Sequence, residues 1–310
     1  MAAEKQRLVK IAVVQRGPAV ENREANLKTL LRLIDEAAQG NPDFLVLNEL
    51  STTPYFCAVQ EARYFDWAEP IPGPSTQAVA QKAREHRCCI IFPLFERGAL
   101  EGLYYNSAVV FGPDGQLIPG VMPDGTRVNR FAKVHIPQIE VVKPEGKLRI
   151  DETYYFSGGP GFPIFQTPKA TIGVLICYDR RFPESWRSLA LQGAEVVFLP
   201  SDCPALFPER GAASEEMFVA ELQAMALQNE LWVVAANMGG HETCAAITTQ
   251  FYGRSCVIHP SGAVVAQAPS TEPALLTATI DLEENNRMRR FIPLFRDRRP
   301  GLYGLLAKET

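Results

Sequence analysis

Between Ile172 and Glu184 the chain passes from a buried strand to a helix with only a short turn between them, and that junction constrains the fold. Ile172, Val174, Leu175 and Ile176 form an apolar run long enough for a central strand. Pro183 suits the first turn of a helix, where its missing N–H costs nothing. Open α/β sheets place their ligands beyond the carboxyl ends of such strands, and Cys177 stands at that position. Backbone N–H groups at such a turn point outward and favour a thiolate. A free cysteine is more often a small buried hydrophobe, so this segment alone leaves catalysis and packing about equally open.

The rest of the chain repeats the same grammar. Lys10 to Gln15 reads as a first strand, and Leu27, Leu30, Leu31 and Ile34 recur at helical spacing from Asn22 to Gln39, where Gly40 and Pro42 end the pattern. Strands are expected at 44–48, 89–95, 104–111, 195–199, 232–236, 254–259, 263–266 and 275–280, with helices at 77–87, 183–192 and 215–229. Strands alternate with helices in the first half and cluster in the last third, which argues for α/β layers with a mixed sheet. Residues 121–150 are the least regular interior stretch and read as loops around an active site. With 310 residues, 46% hydrophobic content and no linker or repeat, residues 1–310 read as one domain, with 285–310 as a C-terminal arm. Arginines and Phe291, Phe295 and Tyr303 in that arm fit an extension that packs on another subunit.

Several function classes are disfavoured. A net charge of −4, from 31 basic and 35 acidic residues, gives no basic surplus for nucleic acid. No apolar run approaches the roughly 18 residues of a membrane span, and the start lacks the apolar core of a secretory signal. Seven irregularly spaced cysteines without a C-x-x-C pair fit a reduced, cytoplasmic chain. The four histidines, His86, His135, His241 and His259, show no metal-ligand spacing. There is no G-x-S-x-G elbow and no phosphate-cradling glycine loop. Neither a metal nor a cofactor is expected, and the partner expected is a small-molecule substrate. Cys88 and Cys89 read as core, while Cys203 follows a strand end, where it could line a pocket.

Two further segments raise the odds on Cys177. The strand Phe44 to Asn48 runs into Glu49, and Lys133 lies among apolar neighbours in Arg130-Phe131-Ala132-Lys133-Val134-His135-Ile136-Pro137. Glutamate and lysine are rarely buried without a partner. Together, Glu49, Lys133 and Cys177 supply a base, a cation and a nucleophile for attack on a carbonyl or nitrile carbon.

With the opening strand, Asn237 after the strand 232–236, and Gly253-Arg254-Ser255-Cys256-Val257-Ile258 before Pro260-Ser261-Gly262, these segments resemble the nitrilase, or carbon–nitrogen hydrolase, superfamily from Lys10 to about Leu306. The resemblance implies a four-layer αββα sandwich that assembles as a homodimer or homotetramer. It implies Glu49 as general base, Lys133 as stabiliser of the tetrahedral intermediate, Cys177 as nucleophile and Glu152 as a second, substrate-positioning glutamate. Arg180, Arg181, His135, Tyr178, Asp202 and Asn237 are the expected substrate-binding residues.

The run from Cys177 to Glu184, then Leu191-Gln192-Gly193-Ala194-Glu195, and the closing Tyr303-Gly304-Leu305 look similar to the N-carbamoyl-D-amino-acid amidohydrolases, whose paired arginines hold a substrate carboxylate. The chain departs from them at Asp202-Cys203-Pro204, where they carry asparagine-threonine-proline, and at Ile150, where they carry histidine. An acidic Asp202 would favour an amine instead. The resemblance therefore implies hydrolysis of an N-carbamoyl amino acid or N-carbamoyl amine. The alternatives are an aliphatic or omega-amidase, a nitrilase, which Tyr178-Asp179 disfavours, and a catalytically silent binding module, which the intact catalytic set disfavours.

Overall fold

The computed structural model of the chain describes residues 6–143, 146–205 and 212–308; the first five residues and the last two of the arm lie outside them. The first half runs β1 (Leu8–Gln15), α1 (Arg23–Ala37), β2 (Phe44–Val46), α2 (Pro74–His86), β3 (Cys89–Arg97) and β4 (Tyr104–Phe111). Short strands follow: β5 (Gly120–Val121), β6 (Arg127–Val128), β7 (Phe131–Ala132), β8 (Gln138–Lys143), β9 (Gly146–Asp151) and β10 (Ile164–Gln166). Then come β11 (Thr171–Val174), α3 (Pro183–Leu191), β12 (Val196–Pro200), α4 (Ala212–Asn229) and β13 (Trp232–Ala236). The chain closes with β14 (Gly239–Cys244), β15 (Ile247–Tyr252), β16 (Cys256–Ile258), β17 (Val264–Gln267), β18 (Ala274–Asp281), α5 (Glu283–Phe291) and α6 (Leu294–Asp297).

Two mixed sheets form the centre. One has the order β18-β1-β2-β3-β4-β7 and the other β17-β16-β13-β12-β11-β10-β5-β6. β1, β2 and β3 are parallel neighbours, as are β11, β12 and β13. The period of two along each strand sorts side chains between layers. Ile11 and Val13, Phe44 and Val46, Cys89 and Ile91, and Ala108 and Val110 enter the core shared with the second sheet. The residues between them, Ala12, Leu45, Ile90 and Val109, face the other way, onto Leu30 and Ile34 of α1 and Val79 and Ala83 of α2. Phe44 meets Phe198 of β12 across the sheets, with ring centroids 5.4 Å apart. Trp186 and Leu189 of α3 and Phe218 and Leu222 of α4 extend that core on the far side of the second sheet. The result is the expected αββα sandwich.

Residues 121–150 are not merely loops. β8 and β9 pair as an antiparallel hairpin, in register from Gln138↔Asp151 to Lys143↔Gly146. A second unexpected hairpin, β14–β15, brings Tyr252 opposite Gly239. No helix among the described residues is long and apolar enough to cross a membrane.

Candidate active site

The expected catalytic side chains each follow a strand end. Glu49 lies three residues after β2, Lys133 directly after β7, Glu152 directly after β9 and Cys177 three residues after β11. Asp202 and Cys203 follow β12, and Asn237 follows β13. The topology thus gathers what the sequence scatters over 189 positions, from Glu49 to Asn237: Glu49, Cys177, Asp202, Cys203 and Asn237 beyond the carboxyl ends of parallel strands, Lys133 and Glu152 after the antiparallel β7 and β9.

Glu49, Lys133 and Glu152 are fully buried. The Lys133 Nζ donates to Glu49 Oε1 at 2.9 Å and to Glu152 Oε2 at 2.7 Å. The two carboxylates have further donors, and every one of their oxygens is held. Asn106 Nδ2 donates to Glu49 Oε1 at 2.6 Å, the Asp202 N–H donates to Glu49 Oε2 at 2.9 Å, and the Tyr55 hydroxyl donates to Glu152 Oε1 at 2.9 Å. A buried charge survives only when so paired. Burial opposes the Lys133 cation, but Glu152 and Glu49 outweigh it and hold its pKa well above the usual lysine value. Burial pushes Glu152 the other way, up to about 7, and Lys133 offsets only part of that rise. An ammonium has three N–H donors, and the two glutamates engage two of them.

Lys133 is fixed through its backbone as well. Its N–H donates to the Asn106 carbonyl and its own carbonyl accepts from Gly159, both at 2.8 Å. A Cβ on Gly159 would stand 2.1 Å from the Ala132 carbonyl oxygen, so only glycine permits this approach.

Cys177 adopts a left-handed backbone, φ 46°, at the head of a 3₁₀ turn. A non-glycine residue there costs energy and needs clamps. Asp179 provides two: Oδ2 accepts from the Ile176 N–H at 3.2 Å, and Oδ1 accepts from the His135 N–H at 2.9 Å and meets His135 Nδ1 at 2.8 Å. Arg180 Nη1 donates to the Cys177 carbonyl at 3.0 Å. The hydrogen bond with Cys203 and burial push the thiol pKa up, Glu49 adds to the rise and Lys133 opposes it. Its Sγ lies 3.6 Å from Cys203 Sγ.

The cavity above this floor is lined by Tyr55, Glu152, Cys177, Tyr178, Arg180, Arg181, Cys203 and Tyr252, with Pro137, Ile139, Ile150, Pro204 and Met217 as apolar wall. Of the residues expected to bind substrate, Tyr178, Arg180 and Arg181 line it. The other three lie outside this lining. His135 is tied to Asp179 and stacks on Phe182 with centroids 3.6 Å apart, so it braces the nucleophile turn. Asn237 accepts from the Cys203 N–H at 2.9 Å and donates to the Gly253 carbonyl at 2.6 Å, fixing the loop behind the cavity. Asp202 is buried beside Glu49, takes a 2.7 Å bond from Asn48 Nδ2, and is absent from the cavity wall. Burial drives its pKa well above the usual carboxylate range, with Glu49 adding to the rise and Arg16 opposing it.

The arginines are also less free than their sequence implies. Glu221 of α4 accepts from Arg180 Nε at 3.1 Å and from Arg181 Nη1, and Arg180 lies over the Phe218 ring. Sequence reasoning anticipated neither Glu221 nor Tyr55, Asn106 and Tyr252. Asn106 carried a signal, as an amide inside a mostly apolar strand; Glu221 sits on an ordinary helix and carried none. Among the described residues, one cluster has metal-ligand geometry, Asp35, Glu85 and His86. It lies on α1 and α2, outside the cavity, and Lys82 already pairs with Asp35 and Glu85 at 2.8 and 3.0 Å.

Known proteins resemble the whole chain. The sequence model of the carbon-nitrogen hydrolase family matches residues 10–290. The N-carbamoylputrescine amidase of Solanum lycopersicum is 35% identical over 312 residues, covering 98% of this chain and 96% of the relative. The omega-amidase NIT2 of Xenopus tropicalis is 33% identical over 292 residues, covering 93% and 94%. The crystal structure of a carbon-nitrogen hydrolase from Helicobacter pylori G27 superposes with a TM-score of 0.85 at 28% identity, covering 98% of this chain and 99% of that one.

Proposed function

The chain belongs to the carbon–nitrogen hydrolase family, and from that premise we propose that it hydrolyses the carbamoyl group of an N-carbamoyl amine, releasing ammonia, carbon dioxide and the free amine. It is a hydrolase of carbon–nitrogen bonds other than peptide bonds. The observation that carries the finer reading is the pairing of Glu152, on the cavity wall, with Lys133 behind it. A carboxylate held there accepts an N–H from the carbamoyl group, and a ureide offers N–H on both sides of its carbonyl where a simple amide offers it on one. The apolar wall suits an aliphatic chain beyond the carbamoyl group. The carbamoylputrescine amidase at 35% identity supports the same substrate class.

In this mechanism Glu49 takes the proton of Cys177, and the thiolate attacks the carbamoyl carbon. Lys133 and a backbone N–H near Tyr178 hold the oxyanion. Ammonia departs with a proton returned through Glu49. Water, activated by Glu49, then cleaves the thiocarbamate, and the carbamic acid loses carbon dioxide.

Arg180 and Arg181 on the wall support a second reading, in which the substrate is an N-carbamoyl amino acid whose carboxylate they bind. Glu221 already compensates both guanidinium groups, which favours the amine. Ammonia release across N-carbamoyl amines, N-carbamoyl amino acids, aliphatic amides and nitriles separates these readings. Carbamoyl amines should turn over with the highest kcat/KM. Preference for carbamoyl amino acids would move the assignment to the second reading, and preference for aliphatic or omega-amides would reject both.

The arm 285–310 is proposed to pack on a second copy of the chain, since Phe291, Leu302, Leu305 and Leu306 are exposed along it. Light scattering should return a dimer or tetramer; one chain mass would reject this. Seven free, buried thiols support a cytoplasmic setting.

A further inference from the structure

Cys203 has no part in the hydrolysis just described, yet it stands against the nucleophile. Its Sγ is 3.6 Å from that of Cys177, and both sulfurs line the same cavity. Their backbones are independently clamped, Cys203 by Asn237 and the Cys177 turn by Asp179 and Arg180. The five other cysteines lie outside that lining.

We propose that Cys177 and Cys203 form a peroxide-driven reversible disulfide, a modification site that switches the enzyme off by consuming its nucleophile and protects that nucleophile from over-oxidation. The loss of activity rests on the assignment of Cys177 as nucleophile; the disulfide itself does not.

Three features support the chemistry. Reactive thiols need thiolate character and access, and the two sulfurs share a hydrogen bond, so ionisation of one leaves the proton on the other. Burial alone would raise Cys203, but the hydrogen bond with Cys177 and the Arg180 charge bring it down to about 6. That hydrogen bond, together with burial, pushes Cys177 up. Arg180 Nη1 lies 4.0 Å from the Cys177 sulfur, a fixed cation beside whichever sulfur is charged. A disulfide needs the sulfurs at about 2.05 Å, so closing it asks for side-chain rotation across a contact already made.

The steps balance. The thiolate of the pair attacks one oxygen of a hydroperoxide; an S–O bond forms, the O–O bond breaks, and hydroxide or alkoxide leaves. That sulfur, now a sulfenic acid, is oxidised by two electrons and the peroxide is reduced. The second sulfur attacks it; the S–S bond forms, the S–O bond breaks, and hydroxide leaves with the thiol proton as water. A small thiol reductant reverses the last bond by exchange.

The test uses the purified full-length chain and hydrogen peroxide at low molar excess, followed by alkylation, non-reducing peptide mapping and intact mass. The expected product is a linked Cys177–Cys203 peptide with a mass lower by about 2 Da, and nearly full return of activity with dithiothreitol. In Cys203→Ala, judged against its own untreated activity, the same dose should give an addition of about 32 Da on Cys177 and little return. Sulfinic acid on Cys177 of the unaltered chain without a linked peptide would overturn the proposal, and so would equal recovery in the variant. If Cys203→Ala does not fold, peptide mapping of the unaltered chain decides alone. The mass readouts stand even if carbamoyl amines prove not to be substrates, so that failure is recognisable separately.

Discussion

The floor and the mouth of the cavity are both built from charged side chains, and they handle charge in opposite ways. On the floor, Glu49, Lys133 and Glu152 have no solvent exposure, and one ammonium bridges two carboxylates. At the mouth, Glu221 bridges two guanidinium groups, with Glu221 about a quarter and Arg181 about a third exposed. Water can replace a partner of Arg181 at the mouth but not one of the floor charges, and the buried Arg180 stands between the two, tied to both Glu221 and the Cys177 carbonyl. The floor therefore demands its complete set, which fits it for chemistry that needs each charge in a fixed place. The exposed part of the mouth, Arg181 and Glu221, tolerates change with the least effect on the reaction.

That contrast orders the expected effects. Cys177→Ala should cost several orders of magnitude in kcat, because it removes the covalent route while leaving a small buried side chain that keeps the fold. Lys133→Ala should follow, with roughly 10²–10³ lost in kcat, the scale for one oxyanion donor. It should also lose about 3–5 kcal/mol of stability in urea titration, because two buried carboxylates lose their shared cation. A variant that kept its stability would show that the floor behaves like the mouth. Gly159→Ala tests the backbone side of the same lysine. Its new Cβ meets the Ala132 carbonyl, and steady-state kinetics should show kcat down by about 10–100-fold with KM little changed.

The mouth should respond less. Arg180→Ala removes the bond to the Cys177 carbonyl, and kcat/KM should fall by about 1.5–3 kcal/mol for carbamoyl amines and carbamoyl amino acids alike. A rise in KM confined to carbamoyl amino acids would instead make this guanidinium a carboxylate reader. Arg181→Ala, more exposed, should cost less than about 1 kcal/mol in the same assay. Glu152 adds a pH signature. With its pKa raised to about 7, the carboxylate proposed to accept the carbamoyl N–H is lost as pH falls. The kcat/KM profile should therefore rise with pH through about 7, and Glu152→Gln should abolish that limb along with most of the activity.

Much of the floor was legible because burial of charge is rare enough to be read from one sequence. Glu49 after Phe44–Asn48 and Lys133 within an apolar stretch both stood out, and the strands at 104–111 and 232–236 fell where expected. The hairpin from Gln138 to Asp151 did not, because its polar, alternating residues lack the apolar run that marks a central strand. The mouth was legible only in part. Arg180 and Arg181 were visible, but their partner lies 40 residues away on α4, and nothing local in that helix distinguishes Glu221 from its neighbours. The burial of Asp202 was hidden for the same reason. Whether a carboxyl faces a cavity or hides beside another carboxylate depends on tertiary packing, not on its flanking residues.

The central claim is that chemistry runs through the sulfur of Cys177 on a floor completed by Glu49 and Lys133. Acid quenching during turnover of an N-carbamoyl amine, followed by peptide mapping, tests it most directly. The expected adduct equals the substrate less ammonia in mass, lies on the Cys177 peptide alone and is absent from Cys177→Ala. Turnover that persists in Cys177→Ala, or an adduct on any other residue, would contradict it.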